Sequence, residues 1–330
     1  MSRFKLLPLT GLLAIGLSVA GSAHADAYAL SSNNIQNFTI GTFGAIQFGP
    51  STDTTSTSAT LNGNITAPPT IPGASNAPVA VAPFSVGAPG PAPAQFTNDG
   101  AFPGPFNAPL GKVGTYSFAD ALISHPGGGI FDARNIAEAY VAGNGTASGI
   151  AANSSATGFT SIFVVGGAGG TLDFSFLADP LIRVFLGAGS LPGSFAQGTL
   201  SASLTITCAV VANCAPGTIA YNWAPNGVVN GITGVTGTVG GNELLDGGNL
   251  NLTLTQQFPP GPGFQDHSLL AALNPYHATT NNFAAGSYSL ALAMTETGAV
   301  ISRVPEPDTT ALMALGLVGL GFATRRRRQA

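Results

Sequence analysis

The feature that most limits how this chain can fold is a period-two alternation of apolar and small polar residues. It recurs in five segments: 171–176, 199–207, 219–223, 250–254 and 288–294. In each segment every second residue is apolar, and the residues between are mainly Ser, Thr, Asn or Ala. Such alternation is typical of antiparallel sheets that bury one face and expose the other to water. We therefore expect an all-β fold, an antiparallel β-sandwich of which a jelly roll is one version.

Charged side chains are scarce in this sequence. Asp, Glu, Lys and Arg make up 7% of its 330 residues, whereas ordinary soluble domains carry roughly 25%. Between residues 26 and 304, four basic residues stand against twelve acidic ones. Because nucleic-acid binding needs a basic face that neutralises phosphates, this acidic body excludes DNA and RNA as partners.

The N-terminus has the three parts of a secretory signal peptide. Arg3 and Lys5 form a basic region, residues 6–19 are apolar, and Ala23 and Ala25 bracket a small-x-small cleavage site. The apolar run is too short to span a bilayer as a permanent anchor. We predict that residues 1–25 direct export through the general secretion machinery, with cleavage after Ala25 or two residues later.

The two cysteines are separated by five residues. Cys208 and Cys214 would meet an oxidising environment after export, where disulfides form and persist. We therefore expect a disulfide that closes a small hairpin loop. Free or metal-bound thiols are the alternative, but no His or further Cys lies nearby in sequence.

The C-terminus contains an apolar segment followed by a basic cluster. Residues 309–324 carry no charge, and Arg325, Arg326, Arg327 and Arg328 come directly after them. Sixteen helical residues reach about 24 Å, which is less than the roughly 30 Å hydrocarbon core. The arginines should stay on the cytoplasmic side, so the body would lie outside.

The residues before that segment complete a recognisable arrangement. Pro305, Glu306 and Pro307 precede the short apolar helix and the terminal arginines, and together these three parts resemble the PEP-CTERM sorting signal of Gram-negative bacteria. The resemblance implies recognition by an exosortase-type membrane protease, cleavage near the motif after transient anchoring through 309–324, and delivery to the cell surface or biofilm matrix. Family members typically occur in species that make exopolysaccharide.

Composition divides the exported chain into regions. Eleven of the 24 prolines fall within 67–109, a density that no central strand tolerates. We interpret 67–109 as an extended loop or linker between an N-terminal strand region, 26–66, and the main β-sandwich, 110–303. Residues 304–330 then form the sorting signal.

Two short helices are also expected within the main body. Asp132 could cap a helix over residues 133–141, and Asp266 could cap another over residues 267–273.

Histidines are too few and too widely spaced to suggest a metal or catalytic site. His125 precedes a glycine-rich turn, and Asp266, His267 and His277 do not match a standard zinc spacing. We expect loop or surface histidines at these positions.

Carboxylate pairs are the other candidates for chemistry. Two pairs are candidates for the carboxyl groups of a glycosidase: Asp173 with Asp179, and Glu243 with Asp246. Asp246 and Asn249 are candidate Ca²⁺ ligands. Neither pair has the flanking aromatic platforms of a sugar site, so solvated turn residues are the preferred interpretation. We predict no catalytic, cofactor-binding or metal-binding residues and no cofactor.

The leading hypothesis is a non-enzymatic surface or matrix protein with a structural or exopolysaccharide-associated role. A lectin-like carbohydrate-binding module and a secreted glycan hydrolase are the alternatives.

Overall fold

A computed structural model describes most of the exported body. The described residues are 26–62, 64–66, 71–73, 79–87, 115–127, 130–141, 149–211, 214–232, 239–259, 261–268, 273–303 and 316–318. The predicted signal peptide, the Pro-Glu-Pro motif and the terminal arginines lie outside them. Within the predicted membrane segment, Gly316, Leu317 and Val318 are described, and they are helical and exposed.

The described part of the chain forms sixteen strands. In chain order they are β1 (Ala27–Leu61), β2 (Asn64–Thr66), β3 (Ile71–Gly73), β4 (Val79–Gly87), β5 (Tyr116–Gly127), β6 (Ile130–Val141), β7 (Gly149–Ala178), β8 (Leu181–Leu186), β9 (Phe195–Val211), β10 (Ile219–Trp223), β11 (Gly231–Ile232), β12 (Gly241–Asp246), β13 (Leu252–Gln257), β14 (Gly263–Ser268), β15 (Asn274–Thr280) and β16 (Gly286–Ser302). The pairings are antiparallel, and the main path runs β10-β9-β16-β7-β1-β6-β5-β4. The all-β antiparallel prediction is confirmed.

Two very long strands connect the different parts of this sheet. Residues 27–35 of β1 pair with β6 on one side, and residues 27–32 pair with β8 on the other. The later part of β1, residues 46–61, pairs instead with residues 151–165 of β7. The N-terminal strand region therefore belongs to the same sheet as the rest of the body.

The sheet folds back so that its two halves face each other. Three contacts between side chains and backbone connect strands of the β1–β6–β5 part to strands of the β16–β7 part. They are Ser31 Oγ to the Thr297 carbonyl (2.9 Å), Asn135 Nδ2 to the Met294 carbonyl (3.3 Å) and Ser117 Oγ to the Ala152 carbonyl (2.7 Å). Direct bonds to the opposite backbone require the two halves to approach closely.

Gly298 on β16 makes this close approach possible. A Cβ atom there would lie 2.9 Å from Oδ1 of Asn153 and 3.2 Å from the carbonyl oxygen of Ala137. Ala137 is on β6, in the facing half of the sheet. A larger residue at position 298 would therefore push the halves apart.

The largest apolar core is rich in aromatic rings. Phe176 on β7 stacks on Tyr276 with a centroid separation of 4.8 Å and contacts Trp223 at 5.4 Å. Phe38 on β1 stacks on Phe131 of β6 at 4.4 Å. Aromatic pairs of this kind stabilise a core beyond the area that they bury.

The predicted helix over 133–141 is wrong, because these residues belong to β6. β6 lies between β1 and β5, and all of residues 135–141 are buried. Because side chains on both faces of this strand are buried, it lacks the apolar–polar alternation of a half-exposed strand. The predicted helix over 267–273 is wrong at its start, where His267 and Ser268 end β14. Residues 269–272 lie outside the described part.

The proline-rich stretch also differs from the expected loop or linker. It contributes β3 and β4, and β4 is the terminal strand of the main path, with β5 as its neighbour. An edge strand tolerates proline because one side of its backbone makes no ladder hydrogen bonds.

Candidate functional sites

The outer face of four adjacent strands forms a neutral surface rich in hydroxyl groups. Strands β9, β16, β7 and β1 lie side by side, and on each the residues that alternate with buried positions point outward. Cross-strand register places these residues in four rows: Thr205, Ala291, Thr160, Thr52; Ser203, Ala293, Gly158, Thr54; Ser201, Thr295, Ala156, Ser56; and Thr199, Thr297, Ser154, Ser58. We call these sixteen positions the hydroxyl face.

Composition makes the hydroxyl face chemically uniform. Twelve of its sixteen positions are Ser or Thr, and the other four are Ala or Gly. The face measures about 14 Å across the four strands, which is three inter-strand spacings, and about 20 Å along the strands, which is six residue steps. It therefore offers an ordered set of hydrogen-bond donors and acceptors without any charge.

Exposed apolar side chains lie beyond one end of this face. They come from β1, β7 and β9: Phe43, Phe48, Ile162, Val164 and Val210. Val210 is 74% exposed and Phe43 is 64% exposed. The register brings Val164 and Val210 to opposite sides of Ser287 on β16, so these two side chains share one row of the sheet.

Glu243 anchors an exposed loop next to the largest core. Its Oε1 accepts a hydrogen bond from the indole nitrogen of Trp223 (2.5 Å), and its Oε2 accepts one from the backbone of Asn230 (3.1 Å). Burial raises the pKa of Glu243, while these two hydrogen bonds lower it and the nearby Asp246 raises it further. Val228 and Val229 project from the loop into solvent.

Asp246 closes the neighbouring turn. Its Oδ2 accepts hydrogen bonds from the backbone nitrogens of Asn226 (2.9 Å), Gly227 (2.7 Å) and Val228 (3.1 Å). Its Oδ1 accepts one from Gly248 at 3.2 Å. A carboxylate engaged in this way is a structural anchor, so the geometry gives no support to Asp246 as a Ca²⁺ ligand.

The candidate glycosidase pair Asp173 and Asp179 is too widely separated for its proposed chemistry. Asp173 is on β7, and Asp179 follows the end of the same strand. Six extended residues span about 20 Å, whereas paired catalytic carboxylates lie about 5 to 10 Å apart. Nε2 of His277 lies 2.8 Å from Oδ2 of Asp173, which gives this carboxylate a neighbour on β15.

The structure does not bring the candidate histidines together on one strand pair. His267 is on β14, which pairs with β8, whereas His277 is on β15, which pairs with β7. The side chain of His125 lies outside the described part. Within the described residues, no group of three or more His, Cys, Asp or Glu side chains could bind a metal ion.

Cys208 and Cys214 form the expected disulfide, with a Cα separation of 6.1 Å. The bridge closes the turn between β9 and β10. Two backbone hydrogen bonds of Cys208 support this turn, from its nitrogen to the Thr218 carbonyl (2.9 Å) and from Gly217 to its carbonyl (2.8 Å).

The interior also contains buried acidic residues that the sequence alone did not indicate as candidates, among them Asp120 and Glu296. Burial raises the pKa of Asp120 to about 7, against a smaller lowering by a hydrogen bond from the backbone of Ala121. Burial also raises the pKa of Glu296 well above its ordinary value, and the nearby amide of Asn135 opposes this only in part. Glu296 could have been found by extending the alternation of β16 two residues beyond Met294.

The sorting tail begins at a well-defined point of the fold. Arg303, directly after β16, donates its backbone N–H to Oγ of Ser194 (2.9 Å) and accepts a hydrogen bond from the backbone of Leu191 (3.1 Å). The predicted motif at Pro305 to Pro307 follows within a few residues. In the portion of the chain that the structure describes, no helix is both long enough and apolar enough to span a bilayer.

Comparison with known proteins identifies this tail. A family model of the PEP-CTERM protein-sorting motif matches residues 303–328. Neither the curated proteins nor the solved structures contain a match to the chain. The chain therefore carries a PEP-CTERM sorting motif, as its sequence predicts, and this motif implies export, processing by an exosortase and sorting to the cell surface.

Proposed function

We propose that the body is a non-enzymatic surface or matrix protein that binds neutral exopolysaccharide along its hydroxyl face. The observation that carries this proposal is the uncharged array of twelve hydroxyl-bearing residues on four adjacent strands. Sugar hydroxyls can exchange hydrogen bonds with Ser and Thr at a modest desolvation cost, whereas a charged face would lose more hydration.

A β-sandwich is the architecture that we infer for this body. The hydrogen bonds between facing halves of the sheet support it, since they require two layers in contact. In such a fold the hydroxyl face is an outer surface, on which Thr52, Thr160 and Ser201 are exposed to a polymer that lies across it.

The positions and hydrogen bonds of the four candidate glycosidase carboxylates support a non-enzymatic role. Glu243 and Asp246 are engaged by backbone and indole nitrogens, and Asp173 and Asp179 are about 20 Å apart along an extended chain. Neither arrangement resembles a pair of carboxyl groups poised on opposite sides of a glycosidic bond.

A lectin-like site is the second candidate, favoured by the anchored loop. Glu243 and Asp246 together fix residues 226–230, and Val228 and Val229 are exposed at its tip. A loop held in one conformation, with exposed side chains at its tip, could present a defined sugar-binding surface.

Binding to exopolysaccharide from the producing cells tests the proposal. Ser201→Glu and Thr54→Glu each introduce a charge on the hydroxyl face, and we expect both to reduce retention of the mature body on the polysaccharide. Ala215→Glu is the matched control, because it adds the same charge at an exposed position of the disulfide loop.

The same polysaccharide-binding assay is repeated with the Val229→Glu variant, and with the wild-type body after Ca²⁺ is removed. Undiminished binding of both face variants would overturn the hydroxyl-face proposal. Loss of binding in Val229→Glu alone would instead favour the lectin-like loop, and dependence on Ca²⁺ would point to a metal-assisted site.

A further inference from the structure

Both ends of the exported body are bonded to one turn. The backbone nitrogen of Gly187 donates to the carbonyl of Asp26 at 2.7 Å, and that of Leu191 donates to the carbonyl of Arg303 at 3.1 Å. Ser190 connects the two points through a hydrogen bond to the Gly187 carbonyl (3.1 Å). The residue that follows the predicted signal peptide and the residue that precedes the sorting motif therefore leave the fold from the same edge of the sheet.

The start of the tail is firmly positioned at this edge. Gly193 has a φ of +88°, and a Cβ atom there would lie 3.0 Å from Cζ of Arg303, so the guanidinium group covers this glycine. The same turn is bonded to Phe258, whose carbonyl accepts from Gly193 (2.9 Å) and whose nitrogen donates to Ser194 (2.9 Å). Two neighbouring loops thus fix the position of Arg303, the last described residue before the motif.

Little chain separates this edge from the predicted membrane segment. Five residues, 304–308, lie between Arg303 and the apolar segment 309–324. Fully extended, they reach about 18 Å at most. While the tail is embedded in the membrane, the edge of the body must therefore remain near the bilayer surface.

The chemical character of the edge suits that position. Its described loop segments, 187–194, 257–259 and 261–264, contain no charged side chain, although Asp26 and Arg303 also lie at this edge. Phe264 is 45% exposed, and Ile150, at the start of β7 on the same end of the sheet, is 50% exposed. Contact with lipid would bury this apolar surface, and the long side chain of Arg303, which is exposed, can keep its charged group among the lipid headgroups.

We propose that, in the uncleaved precursor, this tail-exit edge lies against the lipid bilayer and the long strands point away from it. The proposal rests on the anchoring of 309–324 in the membrane that the sorting function requires. The seventeen residues of β16 place the opposite end of the sheet about 50 Å farther from the bilayer. The apolar side chains of Phe43 and Val210 belong to that distant end.

Site-specific quenching in vesicles tests this orientation. The full chain with its tail is reconstituted into vesicles of phosphatidylethanolamine and phosphatidylglycerol that carry nitroxide on the headgroups. A fluorophore is attached at Pro192→Cys or, in the matched control, at Gly167→Cys. Both positions are exposed or open to solvent, and the native cysteines are joined to each other in the disulfide.

We expect severalfold stronger quenching at position 192 than at position 167. Ala188→Cys, at an exposed position of the same turn, provides a second probe if Pro192→Cys misfolds. Equal quenching in vesicles that carry the protein on flotation would overturn the edge assignment alone. Failure of the protein to float with the vesicles would overturn the membrane anchoring and the orientation with it, whereas neither outcome bears on polysaccharide binding.

Discussion

The indole nitrogen of Trp223 donates a hydrogen bond to Oε1 of Glu243, which connects the core to the exposed loop at 226–230. Trp223 is 2% exposed and is the single tryptophan of the sequence. Its fluorescence therefore reports directly on this interaction.

Removal of the Glu243 carboxylate should destabilise the body. Glu243→Leu leaves the buried indole N–H without an acceptor, which costs about 1 to 3 kcal/mol. We expect a lower denaturant midpoint, followed by Trp223 emission. Val229→Ala, at the exposed tip of the same loop, should change stability by less than about 0.5 kcal/mol; equal effects of the two variants would contradict the anchoring role.

Asp120 should make the body less stable as the pH rises from about 4 to about 7. Its pKa in the folded state is about 7 because of burial, whereas an unfolded Asp loses its proton near pH 3.9. Over that interval the unfolded state binds fewer protons, so rising pH favours unfolding. Asp120→Asn should flatten the dependence and raise stability at pH 7, by up to a few kcal/mol since one pKa unit is worth about 1.4 kcal/mol. Urea unfolding at a series of pH values measures both effects, and parallel profiles for the two proteins would show that Asp120 is not responsible.

Loss of the disulfide should weaken the fold modestly. The loop that it closes is short, so the entropy model gives about 2 to 3 kcal/mol for Cys208→Ser. We expect a lower melting temperature and unchanged localisation. Wild-type protein under reducing conditions serves as the control, and labelling of both thiols in the native secreted protein would refute the bridge.

The sequence predicted the strands that bury one face. Leu200, Leu204 and Ile206 on β9 and Leu290 and Leu292 on β16 follow the expected alternation, because their opposite faces are solvated. The pattern failed where both faces are buried. In β6, Ala137, Glu138 and Ala139 are all buried, so the segment resembled a helix in composition.

The hydroxyl face could be predicted only in part. On β9 the alternating Ser and Thr residues mark an outward face, but in residues 52–58 of β1 the buried positions are also polar, with Thr55 and Thr57 among them. Alternation is therefore invisible there, and the side-by-side order of β9, β16, β7 and β1 depends on pairings between residues about 85 to 145 positions apart.

Substitutions in the sorting motif and in the arginine cluster should have different effects on the processing and location of the protein. Glu306→Ala should prevent cleavage and leave the body tethered to the inner membrane by residues 309–324. Replacement of Arg325 to Arg328 by Gln should weaken retention on the cytoplasmic side, because each cation resists crossing by about 2.5 to 3.5 kcal/mol on insertion scales. Fractionation and immunoblotting distinguish the two, and identical surface delivery of wild type and Glu306→Ala would mean that the motif is not recognised.

The most direct test of this account is the intact mass of the protein recovered from the outer surface of wild-type cells. Cleavage at both ends predicts a mass that begins at Asp26 or Tyr28 and ends near Pro305 to Pro307, without the apolar segment and the arginines. Recovery of surface protein that still carries residues 309–328 would contradict processing by an exosortase and leave the tail as a plain membrane anchor.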